Sequence, residues 1–279
     1  MRNAANLRSS FTEEQLQYCQ YGEIRISFFG KLAQISFNEG LLYKGSWEDN
    51  RIIKAIEMNF VASEGNFLKK ISILSGDKIN CGMISEALQL DRISYDDVYQ
   101  LQADTCLDYF AKNHDIYIMA VDSESGTVVG YINFSPVRES VYADLASGSV
   151  VDTVITSDDV LPYEAGNSYW GYFSSIVVHP EYRCHGVAAQ MILYWSDLMV
   201  QLAEKRSIYF KSIVADAVSD IGAHLLSEIG FSFVRMSMHK TKIMTLDLFS
   251  DDVLQSKFNK NLLAAYREYR ERKGKSDAL

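Results

Sequence analysis

The run Arg183-Cys184-His185-Gly186-Val187-Ala188 follows a short β-branched stretch, Ser174 to Val178, and Pro180, and it opens an apolar-periodic segment. Residue types in that order spell a strand, a tight turn and a helix N-terminus. Gly186 and Ala188 are small, so the backbone there can come close to a ligand. Main-chain N–H groups at the positive end of a helix suit a phosphate or pyrophosphate. A second chemistry is suggested by Arg138 to Trp170, a long connection of low helical periodicity. It carries Glu139, Asp144, Asp152, Asp158, Asp159 and Glu164 against a single basic residue, Arg138. Such a run is commonly a solvated face. Its functional alternative is the wall of a pocket that draws in a cationic substrate by opposite charge.

The elements that position this chemistry follow from periodicity. Residues 1 to 84 read as an appended α/β region. It has a capped helix at FTEEQLQYCQ and a β-hairpin, EIRISFF and LAQISF, turning at Gly30-Lys31. A helix is expected after Ser46, with Ile52, Ile53, Ile56 and Phe60 on one face, and the same spacing continues through Phe67, Leu68, Ile71 and Leu74. That region is read as packing or oligomerisation support, with substrate recognition or an adaptor role as alternatives. From residue 85 the pattern changes. Ala87 to Ile93 reads as a strand, and Ser94 to Asp97 caps a helix carrying Val98, Leu101, Cys106 and Phe110. A long hairpin follows, IYIMAVD and TVVGYINF. Beyond Ala188 the helix continues through Met191, Ile192, Trp195, Leu198, Met199 and Leu202. A buried strand spans Ile208 to Ala217, and a helix enters at Ser219 or Asp220 and stops at Gly230. A hairpin closes around His239-Lys240. From Asp251 an amphipathic helix (Val253, Leu254, Phe258, Leu262, Tyr266) runs into the basic cluster Arg267, Arg270, Arg272, Lys273 and Lys275.

Composition narrows the function. With 279 residues, 48% hydrophobic and 23% charged, the chain is long enough for a sizeable core. A net charge of -9 argues against nucleic acid or an anionic membrane as the principal partner. Cys19, Cys81, Cys106 and Cys184 are widely spaced without a CxxC pair, and the five histidines form no metal-like spacing. Reduced thiols in a cytoplasmic protein are expected, and no metal. No stretch approaches the roughly 18 apolar residues of a spanning helix.

The order strand, helix, long hairpin, strand, turn, helix, strand, helix, hairpin resembles the GCN5-related N-acetyltransferase (GNAT) superfamily over about residues 85 to 248. Arg183-x-x-Gly186-x-Ala188 is similar to that family's R/Q-x-x-G-x-G/A signature, and it follows Val178-His179-Pro180. Ser219-x-x-Gly222-x-x-Leu225-Leu226-x-x-Ile229-Gly230-Phe231 is similar to its second conserved segment. The resemblance implies a mixed, mostly antiparallel sheet flanked by helices, in three parts: 1–84 accessory, 85–248 acyltransferase, 249–279 C-terminal helix and basic tail.

It also implies acetyl-CoA as cofactor. Ile176, Val177 and Val178 would lie along the pantetheine arm, and Arg183, Cys184, His185, Gly186, Val187 and Ala188 at the pyrophosphate, with Ser219 nearby. The implied reaction moves an acetyl or short acyl group to a small-molecule or peptide amine. The alternative is an acyl-CoA-binding sensor without turnover. Two departures matter for catalysis. The position of the family's acid tyrosine is taken by Leu226, and that of a glutamate eleven residues before Arg183 by Tyr172. Ser174 shares a strand face with Tyr172 by alternation. Proton removal would pass through Tyr172 or Ser174, or through a carboxylate of the acidic connection, Glu164 first. His179 and His224 are discounted, and Cys184 reads as a small residue in the turn.

Overall fold

The computed structural model describes residues 24–29, 32–37, 40–46, 71–95, 100–183, 185–249, 261–267 and 269. The chain forms two compact units, Met1–Lys69 and Lys70–Leu279. In the first, β1 (Ile24–Phe29), β2 (Leu32–Phe37) and β3 (Gly40–Ser46) make an antiparallel sheet in that order. Phe29 faces Leu32 across the first connection, as a hairpin at Gly30-Lys31 requires. The FTEEQLQYCQ helix, Gly30-Lys31 and residues 47–70 lie outside the described residues. Ser46 is the last residue of β3, and the helix expected after it falls outside the described residues.

The second unit is built on a seven-stranded sheet. Its strands are β4 (Ile71–Ser75), β5 (Tyr117–Asp122), β6 (Val128–Val137), β7 (Ser168–Val178), β8 (Tyr209–Ala217), β9 (Ser232–Met236) and β10 (Lys242–Asp247). Their order is β4-β5-β6-β7-β8-β10-β9. Only β7 and β8 run parallel; every other pair is antiparallel. Ile71 and Leu74, which continue a helical spacing in the sequence, are strand residues paired with Asp122 and Met119. Four or five residues are too few for periodicity to separate the two structures, and pairing with β5 decides the outcome. The sheet therefore begins before residue 85.

Ala87 to Ile93 is also corrected. It lies mostly within α1 (Cys81–Arg92), capped by the Asn80 side chain, which accepts from Met83 N at 3.1 Å. Ile84, Ala87 and Leu90 share its buried face at three-residue spacing. The next helix, α2 (Ala103–Lys112), starts later than the sequence suggests and leaves Leu101 outside; Val98 falls among residues not described. The acidic connection is not a plain loop either. It folds into α3 (Glu139–Ser147), which ends on Gly148 at φ 70, followed by a short 3₁₀ turn, Asp152–Val154. With Leu145 its only buried residue, α3 carries too narrow an apolar stripe to signal itself.

The helices cover both faces of the sheet. On one lie α1, α2 and α3, around Ile84, Met119, Tyr131 and Val214. On the other, α4 (Val187–Arg206) and α5 (Asp220–Ile229) pack around Met191, Ile192, Trp195 and Phe210. A last helical stretch, residues 261–267, adds Leu262, Leu263 and Tyr266 to this second core. The Tyr266 hydroxyl accepts from Phe210 N at 2.6 Å and ties that stretch to β8. Each fully buried aliphatic or aromatic side chain contributes roughly 1.5–3 kcal/mol. This layering places β7 at the centre of the sheet.

Candidate active site

Two departures from regular pairing shape β7. Asn133 faces Ser175 and Phe134 faces Phe173, so Ser174 is an extra residue in a β-bulge. The bulge resets the alternation of side chains. Tyr172 and Val177 belong to the α1–α3 core, whereas Phe173, Ile176 and Val178 pack in the α4 core. Tyr172, Ser174 and Ser175 consequently line one cavity together, although strict alternation pairs only the first two. The second departure is the parting from β8. Parallel pairing stops at Tyr172 opposite Val214, yet β7 runs on to Val178 and β8 to Ala217. Gly171 stands at the branch point. A Cβ there would meet Phe134, Phe210 and Ile213 at 2.9 to 3.0 Å.

A small cavity of about 30 Å³ opens at the parting, lined by Tyr95, Asp152, Tyr172, Ser174, Ser175, Asp216 and Val218. The Tyr172 hydroxyl donates to Asp152 Oδ2 at 3.0 Å, and Asp152 Oδ1 is shut off from solvent without a hydrogen-bond partner. Asp216 Oδ1 is likewise enclosed and unpartnered. Burial pushes Asp152 up to about 6, with Asp216 raising it further and Tyr172 and Ser174 opposing the rise. Asp216 is raised too, chiefly by desolvation, against a hydrogen bond from Thr241 and the charge of His239. The Tyr95 hydroxyl is held well above its usual range by burial, and hydrogen-bonds with Ser175 and the Ile176 backbone. Tyr172 is raised strongly, first by burial and then by Asp152.

Of the residues expected to do chemistry, the fold gathers Tyr172 and Ser174 here. It does not bring Glu164 to them. Glu164 is exposed in the turn before β7, where its Oε2 accepts from Asn167 Nδ2 at 2.8 Å. The carboxylate that the acidic connection delivers is Asp152. Leu226, at the position of the expected tyrosine, is buried in the α4 core. His224 is exposed on α5, and His179 caps the turn after β7 by accepting from Glu181 N at 3.3 Å. Sequence reasoning missed Tyr95, Ser175 and Asp216. Besides Tyr172 and Ser174, only the run of acids around Asp152 points to this cavity in the sequence.

Beyond the parting, the chain turns through Pro180–Tyr182 into α4. The Tyr182 hydroxyl anchors the turn by donating to the buried Asp122 at 2.6 Å. Arg183 Nε donates to Val178 O at 2.9 Å, folding that side chain back over the strand end. Gly186 is the N-cap residue at φ 76, a left-handed conformation suited to glycine. No side chain caps α4, and its first turn holds no acidic residue. His185 and Gly186 are exposed, Val187 is buried, and Cys184 lies outside the described residues. Ser219 caps α5 by accepting from Gly222 N at 3.1 Å. Among the described residues no metal-binding cluster occurs, and no helix is long and apolar enough to cross a membrane.

A mixed sheet parted between its two parallel strands, with an open amide turn beside the parting, defines the acetyltransferase class of fold. The family model described as Acetyltransferase (GNAT) family matches residues 84–224, and the chain belongs to that family. A comparison with curated proteins finds no match. Among solved structures, the chain is similar to the GNAT family N-acetyltransferase YhbS from Escherichia coli in complex with CoA. The identity is 18%, over 69% of this chain and 88% of that one, with a TM-score of 0.42. It is also similar to a mosquito arylalkylamine N-acetyltransferase like 5b, at 12% identity over 64% and 100% of the two chains and a TM-score of 0.42.

Acetyl-CoA is the cofactor of this family, and the geometry here fits it. The side of β7 turned toward the parting offers backbone groups of Ile176 to Val178 beyond the last pairing with β8. An extended, amide-bearing arm satisfies such an edge. The uncapped start of α4 at Gly186 suits a pyrophosphate.

Proposed function

We propose that this protein transfers an acetyl or short acyl group to an amine acceptor that arrives as a cation at the parting of β7 and β8. The observation that carries this reading is Asp152. Its Oδ2 is held by Tyr172, and its Oδ1 is buried without a hydrogen-bond partner in a residue that lines the cavity. Ile176, Val177 and Val178 would align the pantetheine arm, while Arg183, His185, Gly186, Val187 and Ala188 would hold the pyrophosphate. When bound, acetyl-CoA supplies the activated acyl group.

The protein's own part is to receive an ammonium and release a neutral amine beside the strand. Asp152 and Asp216 attract the cation, and Tyr172 fixes the rotamer of Asp152 so that Oδ1 remains available. The proton moves from nitrogen to Asp152 Oδ1, which frees the nitrogen lone pair for attack. A rise in the carboxylate from its usual value to about 6 lessens the proton-transfer mismatch by about 3 kcal/mol, at 1.36 kcal/mol per unit. Tyr95 and Ser175 place hydroxyls at the bulge, where developing negative charge needs donors.

The test is thiol release from acetyl-CoA over a panel of alkylamines, amino acids and peptides. Turnover with a cationic amine, lost in Asp152→Asn at unchanged CoA affinity, is the expected result. CoA binding with no turnover on any amine would instead favour a sensor.

A further inference from the structure

At the end where β7 and β8 begin, away from their parting, a cleft of about 500 Å³ opens. That volume suits a small molecule. Among the described residues it shares no lining side chain with the cavity at Asp152. Trp170, Phe249 and Tyr269 supply its apolar wall, and its charged side chains are Lys211 and Asp247.

A bulge in β8 builds one side of this cleft. Tyr169 faces Phe210 and Gly171 faces Ile213, two steps along β7 against three along β8. Phe210 and Ile213 both pack in the α4 core, so Lys211 and Ser212 between them turn to the opposite face. Regular alternation would send one of the two into the α4 core instead. Contacts agree with the bulge: the Ser212 hydroxyl hydrogen-bonds Tyr142 of α3 at 2.8 Å, and Lys211 Nζ lies 5.3 Å from the centre of the Trp170 ring. Ring packing fixes the other side. Tyr269 stacks on Tyr209 at 3.8 Å and its hydroxyl pairs with Ser168 Oγ at 3.0 Å, while Phe249 lies 5.8 Å from Tyr269.

Charge and wall together define the ligand. Lys211 is exposed, and among the described residues no carboxylate pairs with it. An ammonium resting over an aromatic face keeps its N–H donors for an incoming anion. Asp247 Oδ1 accepts from Phe249 N at 2.9 Å, which commits that oxygen to the wall, and its charge opposes a second negative group on the ligand. One lysine against one aspartate therefore suits a monoanion and disfavours a phosphate ester. Aromatic rings pack well on aromatic walls in offset or edge contacts, so the body that fits between Phe249 and Tyr269 is a flat ring. We infer that the cleft is a second ligand site, which binds a small aryl carboxylate with its carboxylate at Lys211 Nζ and its ring against Phe249 and Tyr269.

Calorimetric titration of the full chain with 2-naphthoate, 2-naphthol, 2-naphthylmethylamine, 2-naphthyl phosphate and hexanoate separates charge from ring. 2-Naphthoate should bind about tenfold tighter than each of the others, the scale of one charge-assisted hydrogen bond. Lys211→Met should bring its affinity down to that of 2-naphthol with CoA affinity unchanged, and Lys211→Arg, which keeps the charge, should retain most of it. Saturating CoA should alter 2-naphthoate affinity by less than about twofold, as independent sites require. Equal binding of 2-naphthoate and 2-naphthol, no binding, an affinity that survives in Lys211→Met, tighter binding of the phosphate, the amine or hexanoate, or displacement by CoA overturns the inference. The wild-type panel and the CoA competition stand even if a variant fails to fold.

Discussion

The Tyr172 hydroxyl donates to Asp152 Oδ2 at 3.0 Å, joining the central strand to a 3₁₀ turn that precedes it by 20 residues. This bond engages one oxygen of the carboxylate, and the other is buried without a hydrogen-bond partner. It ties the turn to the strand and, in the proposed reaction, orients the base.

Tyr172→Phe removes that donor from a buried carboxylate. Turnover should fall about 100-fold, the low end of general acid–base effects, with CoA affinity changed less than about threefold. Steady-state kinetics beside CoA titration checks this. A larger loss of CoA affinity than of turnover would contradict the assigned role.

Activity should rise with pH through a limb near 6, where Asp152 loses its proton and becomes able to act as a base. Asp91, Tyr95, Tyr172 and Asp216 face it, with His239 beyond Asp216, so the limb belongs to the group as a whole. Asp216→Asn removes a like charge and should move the limb to lower pH. A pH–rate profile of the variant reads the shift, and an upward displacement would be the wrong sign.

Stability carries the same signature. Asp91 and Asp152 have raised folded-state values of about 6, so the folded protein binds more protons than the unfolded chain between about pH 4 and 6. Stability is therefore fully present below the unfolded value and lost as pH rises through the folded one. Melting temperature should fall from pH 4 to 6.5 through these groups and then level. Asp91→Asn should flatten that decline in a thermal-denaturation series.

Gly186→Asp should abolish CoA binding by setting a carboxylate at the uncapped start of α4. Gly186→Asn, which tolerates the left-handed backbone, separates charge from shape and should retain measurable affinity. Equal loss in both variants would assign the effect to the turn's conformation.

Gly171→Ala should destabilise the fold by about 1–3 kcal/mol through overpacking, because its Cβ would press on Phe134, Phe210 and Ile213. Thermal unfolding reads this directly. An unshifted midpoint would show that the branch of β7 from β8 tolerates side chains.

The turn proposed for the cofactor could be picked out in the chain because it is local. A β-branched run, Pro180, Arg183, Gly186 and Ala188 lie within one strand–turn–helix, and backbone geometry at one helix end does the work. Tyr172 and Ser174 were proposed from the family resemblance and from strand alternation, and both line the cavity. Ile71 to Leu74 and Ala87 to Ile93 were misread because short apolar runs satisfy two periods, and only strand pairing or helix packing chooses between them.

What the sequence by itself determined, then, is the strand–turn–helix order from β7 into α4, with the turn at Gly186 proposed for an anion. The tertiary structure alone decided which carboxylates meet. Asp152 and Asp216 are remote in sequence and belong to a 3₁₀ turn and a strand, and they line one cavity where β7 bulges and parts from β8. Desolvation and mutual repulsion are properties of that enclosed space. A linear pattern of acids carries neither, which is why Glu164 and Asp152 look alike in the chain and only Asp152 reaches the site.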